Sequence, residues 1–316
     1  MGETRIAVIG EALIDVVETG DDEPRLARPG GSPYNVAIGL ARLGQRVAFV
    51  GRLSRDPLGA ILRRHAERSA VDLTLAVDAL EPTTIALVEL SDGIAGYHFG
   101  VDGTADFAWT DAELAAVPAD VDAVHFGSLA SWTPPGDAAV LRRVAALREH
   151  ALVSYDPNVR PGLQPDAAAA RDHVERAVAL AHVVKASEED LAWIHPGADV
   201  AEIAGQWLTL GPAVVVVTRG SDGAQAYTAA GTVIRAARRA EVVDTVGAGD
   251  AFTSGLLDAL ARRDLLSPAA LTAALTDLHL LDDVLDEASL VSAITCSRAG
   301  ANPPRLADLE TWRQTG

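Results

Sequence analysis

The sequence predicts an α/β fold built on a mostly parallel sheet, and three observations carry that expectation. Short β-branched runs alternate with longer segments rich in Ala, Leu and Arg, which is the rhythm of βαβ units. The run at 213–217 reads AVVVV, without polar alternation, as a strand covered on both faces would. No linker or low-complexity tract divides the 316 residues, so one domain over 1–316 is expected.

Strands are expected at 5–10, 47–50, 123–126, 152–156, 182–185 and 213–218. Helices of about the right length for crossovers are expected at 33–43, 57–69, 137–150, 165–181, 200–210 and 250–262, with a final helical group over 268–298. Pro33 behind Ser32 reads as a capped helix start, Ser32 at the N-cap and Pro33 at N1. Within the last group, the acidic and leucine-rich stretch 277–288 reads as an amphipathic surface helix or a loop. One region breaks the rhythm. The runs 83–90 and 97–101 flank Ser91-Asp92-Gly93 and read as an antiparallel hairpin, to which 12–17 adds a candidate strand. Such a piece inside a parallel chain fits a small accessory sheet or lid, and equally a plain edge hairpin.

Composition excludes several function classes. The formal net charge is −18, which repels nucleic acid and anionic membranes. No apolar run approaches the ~18 residues of a membrane helix. The first residues, MGETRIAVIGEALIDVV, carry Glu11 and Asp15 inside the apolar stretch and do not read as a signal peptide. Cys296 is the single cysteine, so an internal disulfide and CxxC patterns are excluded, and a reducing cytoplasm is expected. Lys185 is the only lysine and no GK pair occurs, which excludes a Walker phosphate loop. HExxH, GxSxG and GxGxxG are also missing, which disfavours zinc hydrolysis, the hydrolase elbow and dinucleotide binding.

The sharpest candidate for chemistry is Asp244-Thr245-Val246-Gly247-Ala248-Gly249-Asp250. A tight glycine turn feeding a helix gathers free N–H groups at the positive end of the dipole, an anion site. Asp250 in the first turn is favoured in its ionised form, so it could accept a proton from an attacking hydroxyl. Ordinary helix capping is the alternative. Gly30-Gly31-Ser32-Pro33-Tyr34-Asn35 allows close backbone approach to a ligand and offers the Asn35 amide to a hydroxyl-rich one. Asp15, just past the first strand, could accept hydrogen bonds from two hydroxyls, or be a solvated loop carboxylate. Asp156, Asn158 and Arg160 end a strand, where doubly wound sheets collect ligands; a proline-rich turn reads the same way. Glu188 could hold a Mg²⁺-bound water, or complement the dipole of a helix capped by Ser187. Thr218-Arg219-Gly220-Ser221-Asp222-Gly223 offers a flat backbone surface to a nucleotide, or a type I′ or II′-like turn into a strand at 225–228.

Together these motifs resemble the ribokinase-like sugar kinases, the pfkB carbohydrate kinase family. The resemblance runs from VIGEALIDV through GGSPYNVAIGLARLG, DPNVRP, TRGSDGA and DTVGAGDAF to CSRAGANPP, and within the family the chain is most similar to bacterial fructokinases. The resemblance implies a three-layer α/β/α sandwich with a β lid over 83–108 and part of 12–30. It implies ATP-dependent phosphorylation of a primary hydroxyl on a small sugar, fructose first. Asp250 matches the base, and Gly247, Ala248 and Gly249 match the anion hole. Asp15, Gly30, Gly31, Asn35 and Arg160 match sugar positions, with Tyr97 and Phe99 on the lid. Thr218, Gly220, Gly223 and Asn302 match the ATP region, together with Gly247 and Gly249. Glu188 matches the glutamate that holds Mg²⁺ through water, and Asp244 and Val246 match a K⁺ site. Lys185 stands where the motif carries asparagine and is a candidate nucleotide contact, while Val246 replaces a frequent threonine. Rival substrates are 2-keto-3-deoxygluconate, with Arg160 facing its carboxylate, and other sugars or nucleosides. A non-catalytic sugar sensor is the remote rival, and paired lids would give a homodimer.

Overall fold

The computed structural model describes residues 5–17, 26–91, 94–164 and 166–315. In chain order, β1 (Arg5–Ile9) opens the main sheet, and β2 (Leu13–Val17) and β3 (Leu26–Gly30) open a second one. Helix α1 (Ser32–Arg42) leads to β4 (Arg46–Val50), β5 (Arg52–Ser54), α2 (Pro57–Arg68) and β6 (Val77–Ala79). The hairpin β7 (Ile85–Ser91) and β8 (Ile94–Gly100) precedes α3 (Asp111–Leu114). Then come β9 (Ala123–Gly127), α4 (Asp137–Leu147), β10 (Leu152–Asp156), α5 (Ala167–Val178), β11 (Val183–Ser187), α6 (Glu188–Ile194), α7 (Val200–Leu210) and β12 (Val214–Thr218). The chain closes with β13 (Ala224–Thr228), β14 (Gly231–Arg235), α8 (Ala248–Ala261), α9 (Pro268–Ala274), α10 (Leu278–Cys296) and α11 (Leu306–Thr315).

The main sheet has eight strands in the order β14-β13-β12-β11-β10-β9-β1-β4. It is parallel from β12 to β4 and antiparallel at β13 and β14. Successive residues of a strand point to opposite faces, and here both faces are cores. Val214 and Val216 of β12 pack on the side of α1, α8 and α10, whereas Val215 and Val217 pack on the side of α4, α5 and α7. Ile6 and Val8 of β1 likewise face one core, Ala7 and Ile9 the other. That double coverage is the three-layer α/β/α arrangement, and it explains why β12 carries no polar alternation. Each such valine contributes roughly 1.5–3 kcal/mol by burial.

The second sheet has the order β3-β2-β7-β8. β7 and β8 form the expected antiparallel hairpin, with Asp92 and Gly93 of its turn outside the described residues. β2 pairs antiparallel with β3 but parallel with β7, so the added strand is not a third member of a meander. β3, the short pair β5–β6, β14 and α11 carry too little periodicity to have been read from the sequence.

Several boundaries move for local reasons. The group 268–298 is two helices, because Ser267 caps α9 and Asp277 starts α10 by accepting from His279 and Leu280 N–H. The stretch 277–288 is helical, but Leu281, Val284 and Leu285 are buried against α8, so its apolar face is core. Asp166 caps α5, and Pro165 lies outside the described residues. The connection after β12 is one 3₁₀ turn over Gly220–Asp222, not a two-residue hairpin turn. Among the described residues no helix is long and apolar enough to cross a membrane.

Candidate active site

The carboxyl ends of β1, β9 and β10 face the amino ends of α1 and α8 across a cleft. β2 and β8 of the second sheet cover it through Leu13, Asp15 and Phe99. Most helices here begin with a side chain capping the first N–H groups: Asp56, Asp166, Ser187, Asp199, Ser267 and Asp277 do so. α1, α4 and α8 do not. At α1 and α8 the N-caps are Gly31 and Gly247, without a side-chain hydrogen bond, so no side chain occupies their first N–H groups. Gly31 has φ +102°, and a Cβ there would stand 2.5 Å from the Glu11 carbonyl oxygen. Gly247 has φ +76° in the left-handed region that favours glycine.

Ser32 is therefore not a cap. Released from that role by Gly31, it lies in the first turn of α1 and its Oγ donates to Asp250 Oδ1 at 2.7 Å. Asn35, one turn further, donates Nδ2 to Asp250 Oδ2 at 2.8 Å. Two neutral donors thus fix the carboxylate at the start of α8, which begins at Ala248, inside the glycine loop. Burial raises the Asp250 pKa, while the bonds from Asn35 and Ser32 lower it.

Three further carboxyls stand at or behind the cleft. Burial pushes Asp15 up to about 6, against the pull of Arg160, with Asp250 adding to the rise. Gly30 packs directly on the Asp15 carboxylate. Glu11 is 1% exposed and lines the cleft; its Oε2 accepts from the Ala130 N–H at 3.2 Å. Burial pushes Glu11 up to about 7, with Ser128, the Ala130 N–H and Arg160 opposing. Asp106, also 1% exposed, accepts from the Ala12 N–H at 3.0 Å, and burial pushes it to about 7. Arg160 lines the cleft and donates to the Val159 carbonyl at 3.0 Å. Asn158 bonds Ser128 Oγ at 3.1 Å.

Beneath the glycine loop lies a buried charged group. Lys185 Nζ donates to Asp156 Oδ2 at 2.9 Å. Asp156 Oδ1 accepts from the Asn158 N–H. Asp190 closes a capping box with Ser187 and accepts from the Val159 N–H at 2.8 Å.

The remaining candidates lie along the edge formed by the ends of β11 and β12 and by the 244–247 and 296–302 segments. Glu188, half-exposed at the start of α6, pairs with Arg219 at 3.2 Å. Thr218 bonds the Ala186 carbonyl, and Gly220 and Gly223 bracket the 3₁₀ turn. Asp244 ties two segments together: Oδ1 accepts from the Val246 N–H at 3.0 Å and Oδ2 from the Gly300 N–H at 2.7 Å. Asn302 Oδ1 accepts from Arg42 at 2.7 Å. Among the described residues no three His, Cys, Asp or Glu side chains group as metal ligands.

The cleft therefore brings together Asp15, Gly31, Asn35, Phe99, Arg160, Val246, Gly247 and Asp250. Thr218, Gly220, Gly223, Glu188 and Asn302 lie outside its lining, as does Lys185, which sits under it. Tyr97 belongs to β8, and its side chain lies outside the described residues. Sequence reasoning missed Glu11, Ser128, Asp106 and Asp190. For Glu11 a signal existed, since a carboxylate directly after a buried strand and its glycine needs a partner.

Residues 3–308 match the pfkB family of carbohydrate kinases. The fructokinase of Rhizobium leguminosarum bv. trifolii is 39% identical over 268 residues, covering 83% of this chain and 81% of that protein. A crystal structure of fructokinase with bound ATP from Xylella fastidiosa superposes with a TM-score of 0.89 at 28% identity, covering 99% of both chains. A fructokinase double mutant of Vibrio cholerae, with fructose, ADP and potassium ion bound, gives 0.85 at 28% identity, covering 98% of this chain and 97% of that one. This chain belongs to the pfkB family of carbohydrate kinases and has their ribokinase-like fold and sugar-phosphorylating activity.

Proposed function

We propose that the cleft takes fructose and that Asp250 accepts the proton of its primary hydroxyl as that oxygen attacks the γ-phosphorus of ATP. The observation that carries this reading is the carboxylate held by Ser32 and Asn35 at the uncapped start of α8. Two neutral donors orient the base without neutralising it, and the adjacent N–H groups of Gly247, Ala248 and Gly249 would take the oxygens of the transferred group. One of these N–H groups, that of Ala248, is shared with the Thr245 carbonyl at 3.2 Å. Asp15, Asn35 and the Gly30-Gly31 backbone would take the sugar hydroxyls, and β2, β3, β7 and β8 would act as the lid that excludes water.

The nucleotide would lie along Thr218, Gly220, Gly223 and the Asn302 segment, which meet the glycine loop where Ala301 packs on Gly247. Mg²⁺ supplies charge neutralisation on the phosphates. The exposed carboxylate of Glu188 suits a magnesium-bound water. Both oxygens of the Asp244 carboxylate already accept N–H bonds, so a K⁺ ion there would rest on the backbone carbonyls of Asp244 and Val246.

One observation favours a second substrate. Arg160 reaches the cleft and could face the carboxylate of 2-keto-3-deoxygluconate. Yet Glu11, Asp15 and Asp250 line the same space, an environment better matched to a neutral sugar. A coupled ADP-release assay with Mg·ATP and K⁺ over fructose, 2-keto-3-deoxygluconate, ribose, glucose and a nucleoside decides. Highest kcat/KM with fructose is expected, and preference for the keto acid would assign the site to that substrate and Arg160 to its carboxylate.

A further inference from the structure

Lys185 is the only lysine in the chain and it is 4% exposed. It projects from β11 toward the underside of α8. Its Nζ stands 2.9 Å from where a Cβ on Gly249 would be, so the ammonium touches the backbone of the loop from the core side. Its hydrogen bond goes to Asp156 Oδ2 at 2.9 Å. A buried ammonium survives only where carboxylates compensate its lost hydration. Burial alone would lower its pKa, yet Asp156, Asp190 and Asp250 together raise it.

We propose that Lys185 is a positioning residue that acts through Asp250: from beneath the glycine loop it braces the first turn of α8 and brings a buried positive charge up to the start of that helix. The inference rests on the reading of Asp250 as the base. The charged surroundings of Asp250 come from named elements, and Glu11, after β1, lines the same cleft. Asp15 of β2 and Asp156 of β10 are negative and disfavour a second negative charge. Ser32 and Asn35 of α1 are neutral donors. Arg160, after β10, acts mainly on Asp15 and Glu11. Burial is the largest influence on that carboxyl and raises it; the Asn35 and Ser32 bonds oppose it most, and Lys185 adds a positive charge that pulls the same way.

The pair Lys185–Asp156 makes an opposite-signed test. The acid limb of kcat is followed at saturating fructose and ATP, so that Asp15 is engaged with sugar throughout. Lys185→Met should move that limb up, and Asp156→Asn should move it down. The apparent KM for ATP should stay within about twofold in both. Opposite displacements support the proposal. Limbs that stay in place, or move together, overturn it, as does a Lys185→Met variant that loses ATP affinity with its limb unmoved, which would make Lys185 a nucleotide contact. If Lys185→Met does not fold, as a thermal melt would show, Asp156→Asn alone decides by the sign of its shift. An Asp250→Asn control separates the two readings: retained turnover in that variant sinks the general-base assignment itself, whereas its loss leaves the limb displacements to judge Lys185.

Discussion

Asn35 Nδ2 lies 2.8 Å from Asp250 Oδ2, joining residues 215 apart in sequence at the meeting point of two helix starts. Ser32 occupies the other oxygen. The sugar-side motif and the phosphoryl-side motif thus form one unit through a carboxylate, and changing either donor should be read at that carboxylate.

Ser32→Ala removes one charge-assisted bond, which is worth about 1.5–3 kcal/mol. That bond lowers the Asp250 pKa, so its loss should move the acid limb of kcat upward and lower the melting temperature by a few degrees. A pH–rate profile checks this; an unmoved limb with a large fall in stability would make Ser32 purely structural.

Gly247→Ala places a Cβ in a backbone at φ +76° and 2.6 Å from the Ala301 Cβ. The left-handed conformation alone costs roughly 1–2 kcal/mol for a residue with a side chain. The expected result is a lower melting temperature and a fall in kcat, because the loop N–H groups shift. Retention of both values by the variant would refute the tight packing of the loop against the 296–302 segment.

Sugar affinity should depend on pH through Asp15. Its carboxyl sits at about 6, so the ionised acceptor is lost as pH falls through that value. KM for fructose should rise below about pH 6 while KM for ATP stays level, and Asp15→Asn should flatten the dependence at a raised KM.

Asp106 offers a stability test outside catalysis. Its folded pKa is raised from 3.8 to about 7 by burial. The group therefore stabilises most below about pH 4, and that contribution is lost as pH rises through about 7. Its Oδ1 accepts from Ala12 N–H, and Oδ2 is buried. Asp106→Asn should melt progressively higher than wild type as pH goes from 5 to 8. Buried His65, His125 and His182, all lowered in pKa, titrate in the opposite sense, so the difference between variant and wild type is the quantity to follow. A difference that does not grow with pH contradicts a protonation change at this site.

Much of the fold was legible because its signals are local. AVVVV reads as a doubly covered strand, and the glycine loop reads as feeding a helix. What was not legible depends on distance. Ser32 read as a cap because Gly31 and Asp250, which together free and occupy its hydroxyl, act from the other side of the residue and from the other end of the chain. Glu11 and Asp106 look like solvated loop acids until the fold closes over them. Asp190 completes a capping box with Ser187, a local pattern, but its bond to Val159 links the first turn of α6 to the loop after β10. β3 reads poorly because Pro29 and two exposed residues leave it without alternation.

The central claim is that Asp250 is the base for phosphorylation of fructose, and the most direct measurement is fructose-dependent ADP release by Asp250→Asn beside wild type, with ATP binding followed by tryptophan fluorescence. The account predicts a fall in kcat of about 10²- to 10⁴-fold with ATP affinity retained, since the amide keeps the shape of the side chain. Turnover within a few-fold of wild type would contradict it and move the search for the base to another carboxyl of the cleft.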